Sequence, residues 1–228
     1  MSITVKTISA DEHLAFVAAR GQASFLQLPA WGKVKPEWRS ESIGFFDGDT
    51  LTGVGLVLYR QLPKLPRYLA YLPEGPVLDW DRPDIDAHLE ALVAHARRNK
   101  AFAVRIGPTV VHHRWLAPTV KAAIADPGIT ALSQATPDET TLTGTRVLRT
   151  LDHLGWQPQA EGHGFAAGQP KFNYQLRLTD AEGAALTDEQ LLKGMNQLWR
   201  RNIKKADKLG VTVTRGERAD LARFHRIY

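Results

Sequence analysis

Residues 187–210 read Thr-Asp-Glu-Gln-Leu-Leu-Lys-Gly-Met-Asn-Gln-Leu-Trp-Arg-Arg-Asn-Ile-Lys-Lys-Ala-Asp-Lys-Leu-Gly, the best-marked element of the chain. Thr187 and Gln190 have the spacing of a capping box, Asp188 and Glu189 put acid at the positive end of a helix, and Gly210 supplies a stop. These signals predict one helix over 187–209. Leu191, Met195, Leu198, Ile203, Ala206 and Leu209 recur at helical spacing as an apolar stripe. Lys193, Arg200, Arg201, Lys204, Lys205 and Lys208 fall mostly on other faces, and in the second half of the helix only Asp207 offsets them. Such a face attracts phosphate-rich ligands in a salt-dependent way, and Trp199 lies beside it. A solvated helix whose cations complement the C-terminal dipole has the same pattern.

Working outward, Asn173 to Leu178 alternates like a strand and opens a new unit after the loose segment 162–170. The glycines of Gly162-His163-Gly164-Phe165-Ala166-Ala167-Gly168 lack the strand-then-helix setting of a dinucleotide fingerprint and read as a linker. Further upstream a helix is expected over 10–20, stopped at Gly21, and a short one between Pro29 and Pro36. Strands over 41–46 and 51–59 flank Asp47-Gly48-Asp49, a hairpin signal. Extended runs at 68–72 and 75–78 surround a Pro-Glu-Gly turn. A helix over 85–98 carries Leu89, Leu92, Val93 and Ala96 on one side, and 101–106 is a short buried strand ended by Gly107-Pro108. Beyond it come a helix near 120–126, a threonine-rich loop over 136–145, a helix over 144–154 and an apparent helix over 221–228. Interleaved helices and antiparallel hairpins give an α+β (mixed α/β) class.

The 228 residues suffice for one large domain and part of a second. Hydrophobic residues at 43% and charged ones at 23% exclude disordered and fibrous classes. No apolar run is long enough for a membrane span and the first residues carry no leader, so a cytoplasmic protein is expected, with the inner face of the membrane open to it. The absence of cysteine removes disulfides, thiolate metal sites and cysteine nucleophiles. A net charge of +5 permits a polyanionic partner. His112-His113 precedes Arg114, but neighbouring histidines point different ways and no ligand lies four residues on, so no metal is expected. Tyr68, Tyr71 and Trp80 line a groove or sit half-buried in the core. There is no Gly-x-Ser-x-Gly, no phosphate-binding P-loop and no His-Glu-x-x-His.

Phe172-Asn173-Tyr174-Gln175-Leu176-Arg177-Leu178, then Leu186 to Leu192, then Met195 to Val211, resemble the segment opening the second domain of the Fem family of peptidoglycan interpeptide-bridge aminoacyltransferases. Phe25-Leu26-Gln27 with Trp31-Gly32-Lys33-Val34-Lys35, and Gly75-Pro76-Val77-Leu78-Asp79, resemble that family's first domain, in the family's order. The resemblance implies an acetyltransferase-like (GNAT-type) domain over 1–165 and the incomplete start of a second over 171–228, with the chain ending inside it. It implies transfer of an amino acid from aminoacyl-tRNA to the stem peptide of a UDP-linked or lipid-linked muramyl peptide, without a cofactor. Lys35, with Lys33 close by, matches the lysine that contacts the precursor's diphosphate. Arg200, Arg201, Lys204, Lys205 and Lys208 would face tRNA. Family members often carry an acid where this sequence has Gly107, and no catalytic residue is assigned. Attack by an amine on an activated ester needs positioning and proton removal rather than a covalent intermediate. An N-acyltransferase using acyl-coenzyme A and a non-enzymatic RNA-binding module are the alternatives; a chain cut short would be inactive.

Overall fold

The computed structural model describes residues 3–20, 23–158 and 169–228. The chain divides into two compact units, Met1–Lys171 and Phe172–Tyr228. The linker expected over 162–168 lies outside the described residues, as does Gly21.

The first unit begins with β1 (Ile3–Thr7), α1 (Ala10–Arg20), a 3-10 turn (Phe25–Gln27) and α2 (Pro29–Val34). Then come β2 (Arg39–Asp47), β3 (Thr50–Gln61), β4 (Tyr68–Leu72), β5 (Val77–Leu78), α3 (Ile85–Arg98) and β6 (Ala101–Ile106). The unit continues with β7 (His113–Arg114), α4 (Ala117–Ala125), β8 (Glu139–Thr140) and α5 (Leu142–His153). One sheet runs in the order β1-β2-β3-β4-β6, with β5 attached to β3; β7 and β8 form a separate pair. The first four strands are antiparallel, and β6 joins β4 in parallel after the α3 crossover. The hairpin expected around Gly48 is present, with Asp47 opposite Thr50 and Gly48 at φ +59, a left-handed conformation that glycine adopts without strain.

β3 is buried from Thr52 to Tyr59 because helices cover both sides of it. Val57 and Tyr59 join the core beside Leu92 and Ala96 of α3, whereas Leu56 faces Gly32 of α2. The 12-residue strand also changes partner along one edge. Leu58 to Gln61 pair with β4, Gly53 and Val54 pair with β5, and between them Leu56 has no strand partner on that side. The fully buried Gln27 fills the gap: its Oε1 accepts the Leu56 N–H at 2.9 Å and its Nε2 donates to the Pro73 carbonyl at 2.7 Å. A residue whose amide both donates and accepts is required here, because a buried backbone N–H without a partner is costly.

The second polar knot is Glu41. His95 lies 3.1 Å from its Oε1, the Tyr59 hydroxyl donates at 2.8 Å, and the Thr7 hydroxyl donates to the same carboxylate. Burial alone would raise its pKa, but these hydrogen bonds outweigh it and hold Glu41 at about 2. His13, fully buried beside the Gln27 backbone, is moved the other way from charge, since burial lowers its imidazole to about 4.

The second unit holds α6 (Asp188–Gly194), α7 (Gln197–Lys208), a 3-10 turn (Arg218–Asp220) and α8 (Leu221–Ile227). The single helix expected over 187–209 is therefore two. Gly194 weakens the helix, and the Asn196 side chain caps the next one by accepting the Trp199 N–H at 3.0 Å. The expected ends are present: Thr187 and Gln190 exchange capping hydrogen bonds, and Gly210 at φ +66 closes α7 with Val211 N–H on the Ala206 carbonyl. The strand expected over 173–178 does not form. Among the described residues the segment has no ladder partner; a single bridge between Thr179 and Ala185 follows it, and alternation alone cannot hold a strand. The helix expected from Gly144 begins instead at Leu142, because Thr141 is its cap and its hydroxyl accepts the Gly144 N–H at 3.0 Å. Among the described residues no helix is long and apolar enough to cross a membrane.

Two tests follow from the buried polar groups. Replacing Gln27 by Leu strands the Leu56 N–H and the Pro73 carbonyl, so urea titration should show a loss of about 2–4 kcal/mol; an unchanged midpoint would refute the bridging role. Both depressed groups give stability that is complete above their unfolded values and lost on acidification: from 6.5 towards 4 for His13 and from 4.5 towards 2 for Glu41. Denaturant midpoints measured across that range should fall in two stages, and Glu41→Gln should remove the lower one.

Candidate functional site

In the first unit the lysines singled out by resemblance stand at the end of α2. Lys33 is exposed in its last turn, and Lys35 is half-buried at the residue that ends it. Pro29 at the first turn sets the start of this helix, and Gly32 lets it approach β2, since a side chain there would collide with Ser40. Lys35 also opens the turn that closes when the Trp38 N–H reaches its carbonyl at 3.0 Å. The lysine is thus tied to an aromatic platform that the sequence did not reveal. Trp38 and Tyr71 lie with ring centres 6.3 Å apart; Arg60 sits over Trp38 at 5.6 Å and Arg105 over Tyr71 at 6.0 Å. Gln169 fixes the Tyr71 hydroxyl from 3.1 Å. Among the described residues none of Lys33, Lys35, Arg60 and Arg105 has an ion-pair partner. Two arginines over two rings, with Lys35 joined to Trp38 through the backbone, can hold a phosphorylated group, arginine through its fork and lysine as a point charge. The expectation for Tyr71 as groove or half-buried core resolves into this platform, whereas Tyr68 and Trp80 pack against the core.

His112 and His113 do not point apart as their adjacency suggested. Their ring centres lie 3.6 Å apart, and His113 Nδ1 is 3.0 Å from the Thr140 hydroxyl. His113 is in a two-residue strand and His112 precedes it, so the alternation of a longer strand does not separate the rings. Among the described residues no group of three potential metal ligands comes together.

In the second unit α7 presents Arg200, Arg201, Lys204, Lys205 and Lys208 with Gln197 around an open depression of about 650 Å³. At 100° per residue these cations span an arc of roughly 140°, and Leu198, Trp199, Ile203, Ala206 and Leu209 occupy the opposite arc. Among the described residues none of the five cations has an ion-pair partner. Arg200 and Lys204, Arg201 and Lys205, and Lys204 and Lys208 are like-charge neighbours four apart, each opposing the helix by roughly 0.2–0.5 kcal/mol. Asp207 is the one acid on the helix against these five cations, and it forms no ion pair with them among the described residues, as expected for a surface completed by an anion.

The fold of the chain has a solved counterpart. The crystal structure of FemX superposes with a TM-score of 0.63 at 25% identity, covering 96% of this chain and 47% of that one. The model of the FemAB family matches residues 8–228, and the chain belongs to that family. A lipid II:glycine glycyltransferase of Staphylococcus saprophyticus is 30% identical over 220 residues, 95% of this chain and 45% of the relative. One from Staphylococcus aureus is 27% identical over 220 residues, 95% of this chain and 44% of the relative. The chain thus spans about half the length of the curated relatives it matches.

Lys204→Glu should turn two repulsive pairs into attractive ones and raise the stability of α7 by roughly 0.5–1.5 kcal/mol. Amide exchange over 198–208 at low salt checks this; faster exchange in the variant would contradict the proposed repulsion.

Proposed function

We propose that the chain is part of an aminoacyltransferase that moves an amino acid from aminoacyl-tRNA to the stem peptide of a peptidoglycan precursor. The observation that carries the reading is the face of α7: five cations on one arc, none of them ion-paired among the described residues, in a member of the FemAB family. Regularly spaced phosphates of an RNA backbone complement such an arc. In the first unit, Lys35 and Lys33 hold the diphosphate of the acceptor. The relatives are named for action on lipid II, which supports a lipid-linked acceptor over a UDP-linked one and work at the inner face of the membrane.

The chemistry asks little of the protein beyond placement. The acceptor amine attacks the ester carbonyl and gives up a proton as the carbon–nitrogen bond forms, the bond to the ribose oxygen breaks, and that oxygen takes up a proton. Holding both partners in place supplies much of the rate, because the ester is already activated.

Anisotropy of labelled aminoacyl-tRNA should show affinity falling steeply between 50 and 200 mM salt, estimates set by the counterion-release range. Replacing Arg200, Arg201 and Lys204 by Gln should lower the salt slope by about 2–3. Lys35→Ala should weaken muramyl-peptide binding by about tenfold and leave RNA binding unchanged. Salt-independent RNA binding, or acceptor binding indifferent to Lys35, would overturn the reading.

A further inference from the structure

The parallel strands β4 and β6 end side by side, with Leu72 opposite Ile106. Ligands of open α/β sheets bind outside such carboxyl ends. Here those ends lead into Pro73-Glu74-Gly75-Pro76 and Gly107-Pro108, joined by the Gly107 N–H on the Gly75 carbonyl at 3.2 Å. The first loop is gripped from below: Gln27 holds the Pro73 carbonyl, and the Gln27 amide packs so closely on Gly75 that no side chain fits there. Pro73, Gly75 and Pro76 are buried, while Glu74 between them is half-buried.

Glu74 has φ +50. Glutamate enters this left-handed region at a cost that glycine does not bear, of order 1 kcal/mol. Among the described residues the Glu74 carboxylate has no ion-pair or hydrogen-bond partner, although Arg105, the penultimate residue of β6, also lacks an ion pair. The two opposite charges flank the strand ends without neutralising each other. A carboxylate on a loop braced by Gln27 and Gly107, without a partner among the described residues and three residues beyond Tyr71, which stands opposite Arg105, fits a cation that arrives with an anionic substrate.

We propose that Glu74 is a specificity residue for the acceptor, receiving the protonated amine of the stem peptide while cations of the same unit hold its phosphates. This rests on the reading of the first unit as the acceptor site, and it adds the group that recognises the amine end. A peptide whose amine is acetylated would leave Glu74 half-buried and unpaired, and would therefore be rejected.

The 228-residue chain is titrated by calorimetry with a muramyl pentapeptide diphosphate carrying a free side-chain amine, and with the same compound N-acetylated. The free amine should bind at least tenfold more tightly, and Glu74→Gln should abolish that preference by weakening only the free-amine form. Glu74→Gly provides the control for folding: it should keep or raise the thermal midpoint, because it relieves the positive φ, yet lose the preference. If both compounds bind equally and Lys35→Ala still weakens them, the role of Glu74 is overturned and the acceptor site stands. If neither compound binds, the acceptor reading falls and the inference with it. A destabilised Glu74→Gly would show that the loop needs the glutamate for its shape, which also overturns the proposal.

Discussion

The hydrogen bonds of one carboxamide hold the first unit in its working shape. A strand as long as β3 cannot follow β4 and β5 at once, and where it leaves one for the other its backbone is left open at Leu56. Gln27 closes that opening and in the same act ties down the loop that follows β4. Local order in the 3-10 turn, the split of the sheet edge and the position of the 73–76 loop are thus one constraint seen from three sides. The loop in turn meets Gly107 at the end of β6, so the edge of the sheet that carries charge is braced from its interior.

In the second unit no residue between Phe172 and Tyr228 is buried, and its helices are marked by caps. What it offers is a pattern of charge. The cations of α7 repel one another along the helix, and the Gly210 closure and the Asn196 cap hold the helix against that repulsion. Strong ends and a self-repelling face are compatible with binding, because an incoming polyanion converts the repulsion into attraction.

Much of this was legible in the chain. The hairpin at Gly48, the helix over 85–98 and the strand over 101–106 follow from periodicity and turn chemistry, since each is fixed by contacts close in sequence or by a single buried face. The errors share a cause. Asn173 to Leu178 alternates correctly but needs a ladder partner that no local pattern supplies, and the run over 187–209 hides a cap, Asn196, inside an apparently continuous apolar stripe. Lys33 and Lys35 are candidates through family resemblance alone, while the platform of Trp38, Arg60, Tyr71 and Arg105 is not legible in the sequence, because four residues from three strands and a loop meet only after the sheet is built. Gln27 was in view as part of a motif, yet its task depends on a gap between strands about 30 residues downstream.

The interruption at Gly194 to Asn196 reshapes the electrostatic field as well as the backbone. A continuous helix would have had one positive pole, beside Asp188 and Glu189, where acid softens it. Splitting it creates a second pole at Gln197, with no acidic residue in its first turn. That pole lies next to Arg200 and Arg201, so the fractional charge of the backbone adds to the guanidinium groups instead of being cancelled. The attraction for anions is therefore graded along α7 and steepest at its beginning.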